Sequence, residues 1–380
     1  MRRLLLGTLL GALFPCVVSA QASQFGTRGL GLPGRGASVR AMAMGGGFSL
    51  FDAESSLNPA ALTALENLAA GFTVLQEWRS PSNPVGDASL KDSRFPLVRV
   101  AGPIKGMGLW IGGSASLYTD QDFRIATTDT LMLRGEPVGI WDTTTSLGGL
   151  NDLQLGAALK LNDVWSVGMG VHVITGGTRV EIRRSFSDSS FVSFRQRAEL
   201  SHTGWGVSAG ILGQLTPRLA VAAMARTDAK AHTDRDSTSL GTIDLPHRFG
   251  AGIRWQARPK LALAGHVLYR TWSAANSDLL ARGGTGAQNT WEVAVGGELV
   301  GDPERPYRRP IRFGVRYGQL PFPLVTGEQG REFGVSIGTG TRFAALRAGV
   351  DLALERVWRS EGPDFSETAW ILTAGVSVTP

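Results

Sequence analysis

The stretch Asp152-Leu153-Gln154-Leu155-Gly156-Ala157-Ala158-Leu159-Lys160-Leu161 alternates between aliphatic side chains and polar or small ones. After Asn162-Asp163 the alternation resumes, with Trp165, Val167, Met169, Val171 and Val173 set against Ser166, Gly168, Gly170 and His172. A period of two places successive side chains on opposite faces of a strand, so this is a β-hairpin with one apolar face. The same period recurs at Phe249, Ala251, Ile253 and Trp255, at Trp291, Val293, Val295 and Leu299, and at Ile311, Phe313, Val315 and Tyr317. It returns twice more, at Leu346 to Leu354 and at Trp370 to Val378. Opposite these apolar residues stand glycines with Arg248, Arg254, Arg312, Arg316, Arg347, Glu292, Glu298, Asp351 and Glu355. A water-facing sheet surface would carry Lys, Thr and Glu; glycine mixed with arginine and glutamate suits a narrow charged lumen, with the aliphatic face toward lipid. The expected fold is all-β, a transmembrane antiparallel barrel.

Composition agrees. Fifty glycines in 380 residues disfavour long helices, and a mean hydropathy of +0.01 leaves no helical span. The exception is the start, where Arg2 and Arg3 precede the apolar run Leu4 to Leu13 and Val18-Ser19-Ala20 ends it. That pattern is an export signal over 1–20, with the mature chain beginning near Gln21. Cys16, the single cysteine, leaves with it, so no disulfide is expected. The formal charge is +6, or +4 without Arg2 and Arg3, and no basic run exceeds two residues, which argues against a nucleic-acid partner.

Fourteen strands are expected over 69–79, 92–102, 106–131, 147–162, 164–186, 191–216, 218–234, 245–257, 260–274, 287–300, 310–320, 329–340, 343–359 and 366–379. Even-to-odd connections are short, such as Gly102 to Lys105, Asn162-Asp163, Thr216-Pro217, Ala257 to Pro259 and Thr341-Arg342; Asp302 to Arg309 is the long exception. Odd-to-even connections such as 132–146 and 275–286 are longer, which puts both ends of the chain on the periplasmic side. Trp78, Trp272, Trp358 and Trp370 are expected in the outer interface girdle, and Trp165 and Trp255 in the inner one.

Residues 21–68 do not alternate. They hold Arg40-Ala41-Met42-Ala43-Met44-Gly45-Gly46-Gly47-Phe48 and then Leu57-Asn58-Pro59-Ala60-Ala61-Leu62. A small-residue-rich segment ahead of a barrel can fold inward as a plug, with Asn58 bonding its own backbone and Pro59 fixing φ. With Leu245-Pro246 leading into Phe249 to Arg254, Trp272-Ser273, and Arg312 to Tyr317 followed by Pro321 and Pro323, residues 38–379 resemble the FadL-type long-chain fatty acid transporter family. The resemblance implies a 14-stranded barrel over 69–380, an N-terminal hatch over 21–68, and passive uptake of hydrophobic molecules that leave sideways through the wall. Gly45, Gly46, Gly47, Asn58, Pro59 and Ala60 would then belong to the hatch. A fatty acid head needs a cation at the end of an apolar path, and the candidates are Arg99, Lys160, Arg248 and Arg316. The family's third and fourth outer loops form an apolar capture groove, whereas Phe186 to Ser190 and His232 to Asp244 are short and polar here.

Two other readings stay open. PorV-like barrels, which dock secretion partners, share a similar Arg-Ala-Met-x-Met-Gly-Gly and Asn-Pro-Ala-Ala opening, and a small-solute porin would need 21–68 to leave the lumen open. An enzyme is not expected. His172, His202, His232, His247 and His266 lie far apart without metal-ligand spacing, and no phosphate loop or nucleophile pairing stands out, so neither metal nor cofactor is expected. Expected partners are a hydrophobic small molecule, outer-membrane lipid and lipopolysaccharide, and the barrel assembly machinery, although Val378-Thr379-Pro380 lacks the aromatic end residue that assists assembly. Intact mass of the exported protein should place its first residue near Gln21; a chain retaining Arg2 and Arg3 would overturn the export reading.

Overall fold

Strand-forming alternation organises nearly the whole chain in the computed structural model, which describes residues 23–83, 86–87, 90–236, 238–305, 308–325 and 327–379. The segment 1–20 and Gln21 lie outside the described residues. Fourteen strands make the wall. They are β1 (Ala69–Asn83), β2 (Leu90–Ile104), β3 (Leu109–Asp120), β4 (Glu136–Lys160) and β5 (Trp165–Phe186). Next come β6 (Phe194–Thr216), β7 (Leu219–Asp228), β8 (Arg248–Arg258), β9 (Leu261–Arg270) and β10 (Thr290–Leu299). The last four are β11 (Arg308–Gln319), β12 (Arg331–Phe343), β13 (Ala348–Glu361) and β14 (Phe365–Val378). Each pairs antiparallel with the next, and β14 returns to β1 in unbroken register from Ser366 opposite Ser82 to Val378 opposite Ala70. Closure removes the sheet edges that a bilayer cannot hydrate, and the architecture is that of a bacterial outer-membrane barrel.

Side chains obey the expected alternation. Leu155, Met169, Val171, Ile311, Val315 and Leu352 are exposed on the outer face, while Asp152, His172, Arg312, Arg316 and Asp351 from the same strands are buried inside. Trp370 sits opposite Trp78 across the closing seam, and Phe333 lies against Trp358 with ring centroids 5.8 Å apart, as part of an outer-end aromatic girdle.

Several boundaries differ from the sequence reading. The expected loop 132–146 is strand: Phe123–Leu133 pairs with the start of β4, and the connection shrinks to Arg134-Gly135. Both have positive φ, 54° and 87°, the backbone of a two-residue hairpin turn. The turn before β3 falls at 105–108 rather than Gly102 to Lys105, because Pro103 still faces Trp110 in the ladder. The turn before β13 falls at 344–347 instead of Thr341-Arg342, which puts Arg347 in the turn and not in the lumen. Trp272 is not a girdle residue. It starts a 3₁₀ turn, Trp272–Ala275, that leads into helix Asn276–Ala281, and this turns its ring into the barrel mouth, where it is fully buried.

The register predicts a cross-link. Cysteines at Leu372 and Gln76, which face each other across the seam, should form a disulfide under mild oxidation and alter gel mobility. Cysteines at Leu372 and Leu75 point to opposite faces and should not link.

Candidate functional site

Residues of the N-terminal segment pack against the inner face of the wall. Ser38 caps helix α1 (Val39–Ala43), its Oγ accepting from the Ala41 N–H at 3.1 Å while it donates to Asp52. The chain then turns through Gly45 (φ 67°) and Gly46 (φ 97°), conformations that glycine adopts without strain. This arc lies directly on the wall: the Gly45 N–H donates to Ser336 Oγ at 2.8 Å, and a Cβ on Gly314 of β11 would stand 2.1 Å from the Met44 carbonyl carbon. Gly47 passes equally close to the backbone of Ala264 and Gly296. Asn58 caps the 3₁₀ helix Pro59–Ala64, its Oδ1 accepting from the Ala60 N–H at 3.0 Å and its Nδ2 donating to the Leu50 carbonyl at 2.9 Å and to Ile211 of β6 at 3.4 Å. Pro59 and Ala60 rest on Gly168 of β5. The two groups of small residues singled out in the sequence therefore contact opposite walls, one at β9 to β12 and the other at β4 to β6.

The wall itself is interrupted once among the described pairings. β2 follows β3 only from Ile104 opposite Leu109 to Leu97 opposite Ser116, and above that level the two strands part, at Pro96, which has no N–H to offer. Residues of the N-terminal segment take the vacated edge: Leu32 pairs with Asp120 and Pro33 with Thr119, and the Gly34 N–H donates to the Tyr118 carbonyl at 2.8 Å. The approach requires glycine, since a Cβ on Gly34 would stand 1.9 Å from the Leu117 oxygen. Arg94 of β2 reaches across to Asp120 of β3 at 2.6 Å, so an ion pair closes what backbone bonds do not.

Between the two lies a chain of buried charges. Arg35, just past the wall seal, pairs with Glu355 at 2.5 Å; Glu355 pairs with Arg316 at 2.7 Å; and Arg316 pairs with Glu332. Arg359 takes Glu332 at 2.5 Å, Glu367 at 2.5 Å and Glu77 at 3.2 Å. A second cluster joins Arg226 to Asp152 and Asp228, with Tyr118 donating to Asp228 at 3.0 Å. His172 touches Asp152 at 2.9 Å and Ser208 Oγ at 2.9 Å, a Ser-His-Asp line contributed by β4, β5 and β6 that sequence spacing did not reveal. Ser208 is 4% exposed and Asp152 is shared with Arg226, so the line is a closed hydrogen-bond network with no room for a substrate at the hydroxyl.

The four cations singled out for a carboxylate fall in different settings. Arg316 is already paired with Glu332 and Glu355 through its two terminal nitrogens. Arg248 stacks on Tyr118, 4.4 Å from the ring centre, and Lys160 lies over Trp110 at 5.2 Å near the short-turn end. Arg99 donates to the Ser55 carbonyl at 2.6 Å, and no carboxylate lies in ion-pair range of it among the described residues. It lines a small apolar cavity of about 40 Å³ with Val39, Leu65, Phe72 and Leu97. At the outer end of the lumen, Leu30 of the N-terminal segment joins Tyr118, Ile174, Trp272, Leu279 and Phe322 in a dry cluster, with Trp272 edge-on to Phe322 at 5.0 Å. Apolar surface at the outer mouth is thus inside the barrel, and the sequence reading of polar outer loops missed it because the cluster is assembled from five separate strands and loops.

The chain's sequence matches no protein-family model and no curated protein. Its fold is similar to solved channels: a FadL homologue of Pseudomonas aeruginosa (TM-score 0.60, 16% identity, 93% of this chain and 99% of that one). The Pseudomonas putida toluene transporter TodX gives a TM-score of 0.59 at 12% identity over 90% and 98% of the two chains. The CymD monoaromatic hydrocarbon channel gives 0.57 at 15% over 91% and 98%. The 14-stranded barrel that the family resemblance implied is the architecture observed.

Gly314→Ala drives a Cβ into the Met44 backbone, an overpacking worth about 1–3 kcal/mol. It should loosen the lumenal segment and raise ion conductance in planar bilayers above the unaltered barrel, while Gly318→Ala, with its nearest atoms at 3.7 Å, should not.

Proposed function

We propose that this barrel is a passive outer-membrane channel for hydrophobic molecules, with residues 23–68 acting as its hatch and the β2–β3 break as its lateral exit. The observation that carries the reading is that five consecutive residues, Leu30 to Gly34, serve both ends of such a path. Leu30 is packed in the apolar cluster at the outer mouth, and Leu32 to Gly34 occupy the break in the wall. Withdrawal of this one stretch would expose apolar surface to an entering solute and unpair the β3 edge through which it leaves. An apolar solute gains by passing directly into the bilayer instead of crossing the aqueous periplasmic mouth. The ion-pair chain keeps the rest of the lumen filled, which supports a hatch-gated channel over an open porin.

Long-chain fatty acids are the finer reading. Arg99 supports it: the cation lies on β2, two residues below the break, beside an apolar cavity, with a guanidinium not committed to a carboxylate. The similar structures are named for toluene and monoaromatic hydrocarbons as well as for FadL, so both solute classes belong in the test.

Cells lacking their own outer-membrane fatty acid transporter, expressing this chain at matched surface levels, should take up labelled oleate or labelled toluene several-fold faster than empty cells. Asn58→Ala, which removes a cap worth about 1 kcal/mol and the tie to β6, should reduce that uptake. No uptake of either solute by a folded barrel would sink the transport reading. Oleate uptake indifferent to Arg99→Gln would sink the carboxylate assignment alone.

A further inference from the structure

A cavity of about 320 Å³ lies on the side of the lumen away from the wall break, between the N-terminal segment and β8 to β10. Its walls include Met44, Phe48 and Ala264, and its rim is the short β8–β9 turn, Pro259-Lys260. Short turns face the periplasm in outer-membrane barrels, so the cavity opens on that side. The volume is at the lower end of the roughly 300–1,000 Å³ typical of small-molecule sites.

Three cations line it, and their bonding differs. Arg40 is held by Glu298 at 2.6 Å, and Glu298 is in turn held by Arg312 at 2.6 Å, so that carboxylate is already compensated. Arg254 and Lys260 have no ion-pair partner among the described residues. Arg254 is half-buried and stacks on Phe48, 5.7 Å from the ring centre, on a ring that Arg40 also covers at 4.5 Å. Elsewhere in the lumen Arg79, Arg94, Arg226, Arg270, Arg312, Arg316 and Arg359 are each matched to a carboxylate. Arg99 and Arg248 also lack an acid, but Arg99 donates to the Ser55 carbonyl and Arg248 stacks on Tyr118; Arg254 faces a mixed polar and apolar cavity whose one carboxylate, Glu298, is already held by Arg40 and Arg312, and its chemistry calls for an anion from outside the chain.

We infer that this cavity binds a small amphipathic organic anion, a monocarboxylate with a short apolar body, entering from the periplasmic side. The carboxylate bonds Arg254 with Lys260 at the rim, and the apolar body lies along Phe48, Met44 and Ala264. An inorganic anion would leave those walls uncovered, and a neutral alcohol would leave the guanidinium unmatched. The site stands independently of the transport reading, since it is on the opposite wall from Arg99 and the β2–β3 break.

The test is saturable binding of octanoate to the mature chain in lipid nanodiscs, with octanol as the neutral comparison and heat-modifiable gel mobility confirming a folded barrel in every variant. Octanoate should saturate, octanol should bind at least about tenfold more weakly, and Arg254→Gln should weaken octanoate by a similar factor while Arg254→Lys retains most of it. Arg99→Gln should leave octanoate binding unchanged. Equal binding of octanol, octanoate binding unaffected by Arg254→Gln, or its loss in Arg99→Gln would each overturn the assignment.

Discussion

The arginine–carboxylate chain on the inner wall is the constraint from which the rest follows. Glu77, Glu332, Glu355, Arg316 and Arg359 are all at least nine-tenths buried, and each would carry an uncompensated charge if its neighbours moved. The chain therefore fixes the relative rotation of β11, β12, β13, β14 and β1 as a unit. Its two ends are informative. One is Arg35, the residue after the segment that seals the wall; the other is Arg94 with Asp120, the pair that spans the same break. The seal is thus held at both sides by one electrostatic network, although its own backbone pairing is minimal.

That asymmetry locates the weakest part of the barrel. β14 and β1 share thirteen register pairs, whereas the sealing stretch has two with β3, at Leu32 and Pro33, and one further backbone bond from Gly34. Unpaired strand edges are costly in hydrocarbon, so something must cover the β3 edge. A two-residue cover is the least that does so, and the proline within it bonds on one side only. Rigid elsewhere, the wall is separable here at the loss of few hydrogen bonds, and those bonds belong to a segment without covalent attachment to the neighbouring strands.

Much of this was legible in the residues. Alternation at Leu153 to Leu161 and Trp165 to Val173 gave strand direction and facing, and glycine opposite aliphatic residues gave a lumen narrow enough to hold something close to its wall. The purpose of those glycines was not legible. Gly168, Gly296 and Gly314 are required by the backbone of Pro59-Ala60 and Met44-Gly45, partners more than a hundred residues away that only register brings together. Asn58 was read correctly as bonding its own backbone, because that bond is local; its second bond, to Ile211, is not. Arg316 was a reasonable carboxylate ligand until pairing set Glu332 and Glu355 beside it, one and two strands on in sequence order but adjacent in space. The same information was missing for Trp272, whose alternation fits a strand end until the 3₁₀ turn rotates it inward.

The partition of cations follows from the same physics. A filled lumen has little water to solvate a guanidinium, so inward arginines either find an acid or mark places where water or a solute must reach them. Most took the first course. Arg99, Arg248 and Arg254 have no acid in ion-pair range among the described residues; Arg248 stacks on Tyr118, and Arg99 and Arg254 lie on opposite sides of the N-terminal segment, Arg99 against Ser55 and Arg254 against Phe48. The segment therefore divides the lower lumen into two compartments of unlike character, a small apolar one beside β1, β2 and β14 and a larger mixed one beside β8 to β10. A shift of its Met44–Phe48 arc would change the volume of the second compartment directly, while a shift of Leu30 to Gly34 would open the wall above the first. Because Arg40 and Arg35 anchor the segment to Glu298 and Glu355 respectively, the two movements have separate electrostatic ties and need not occur together.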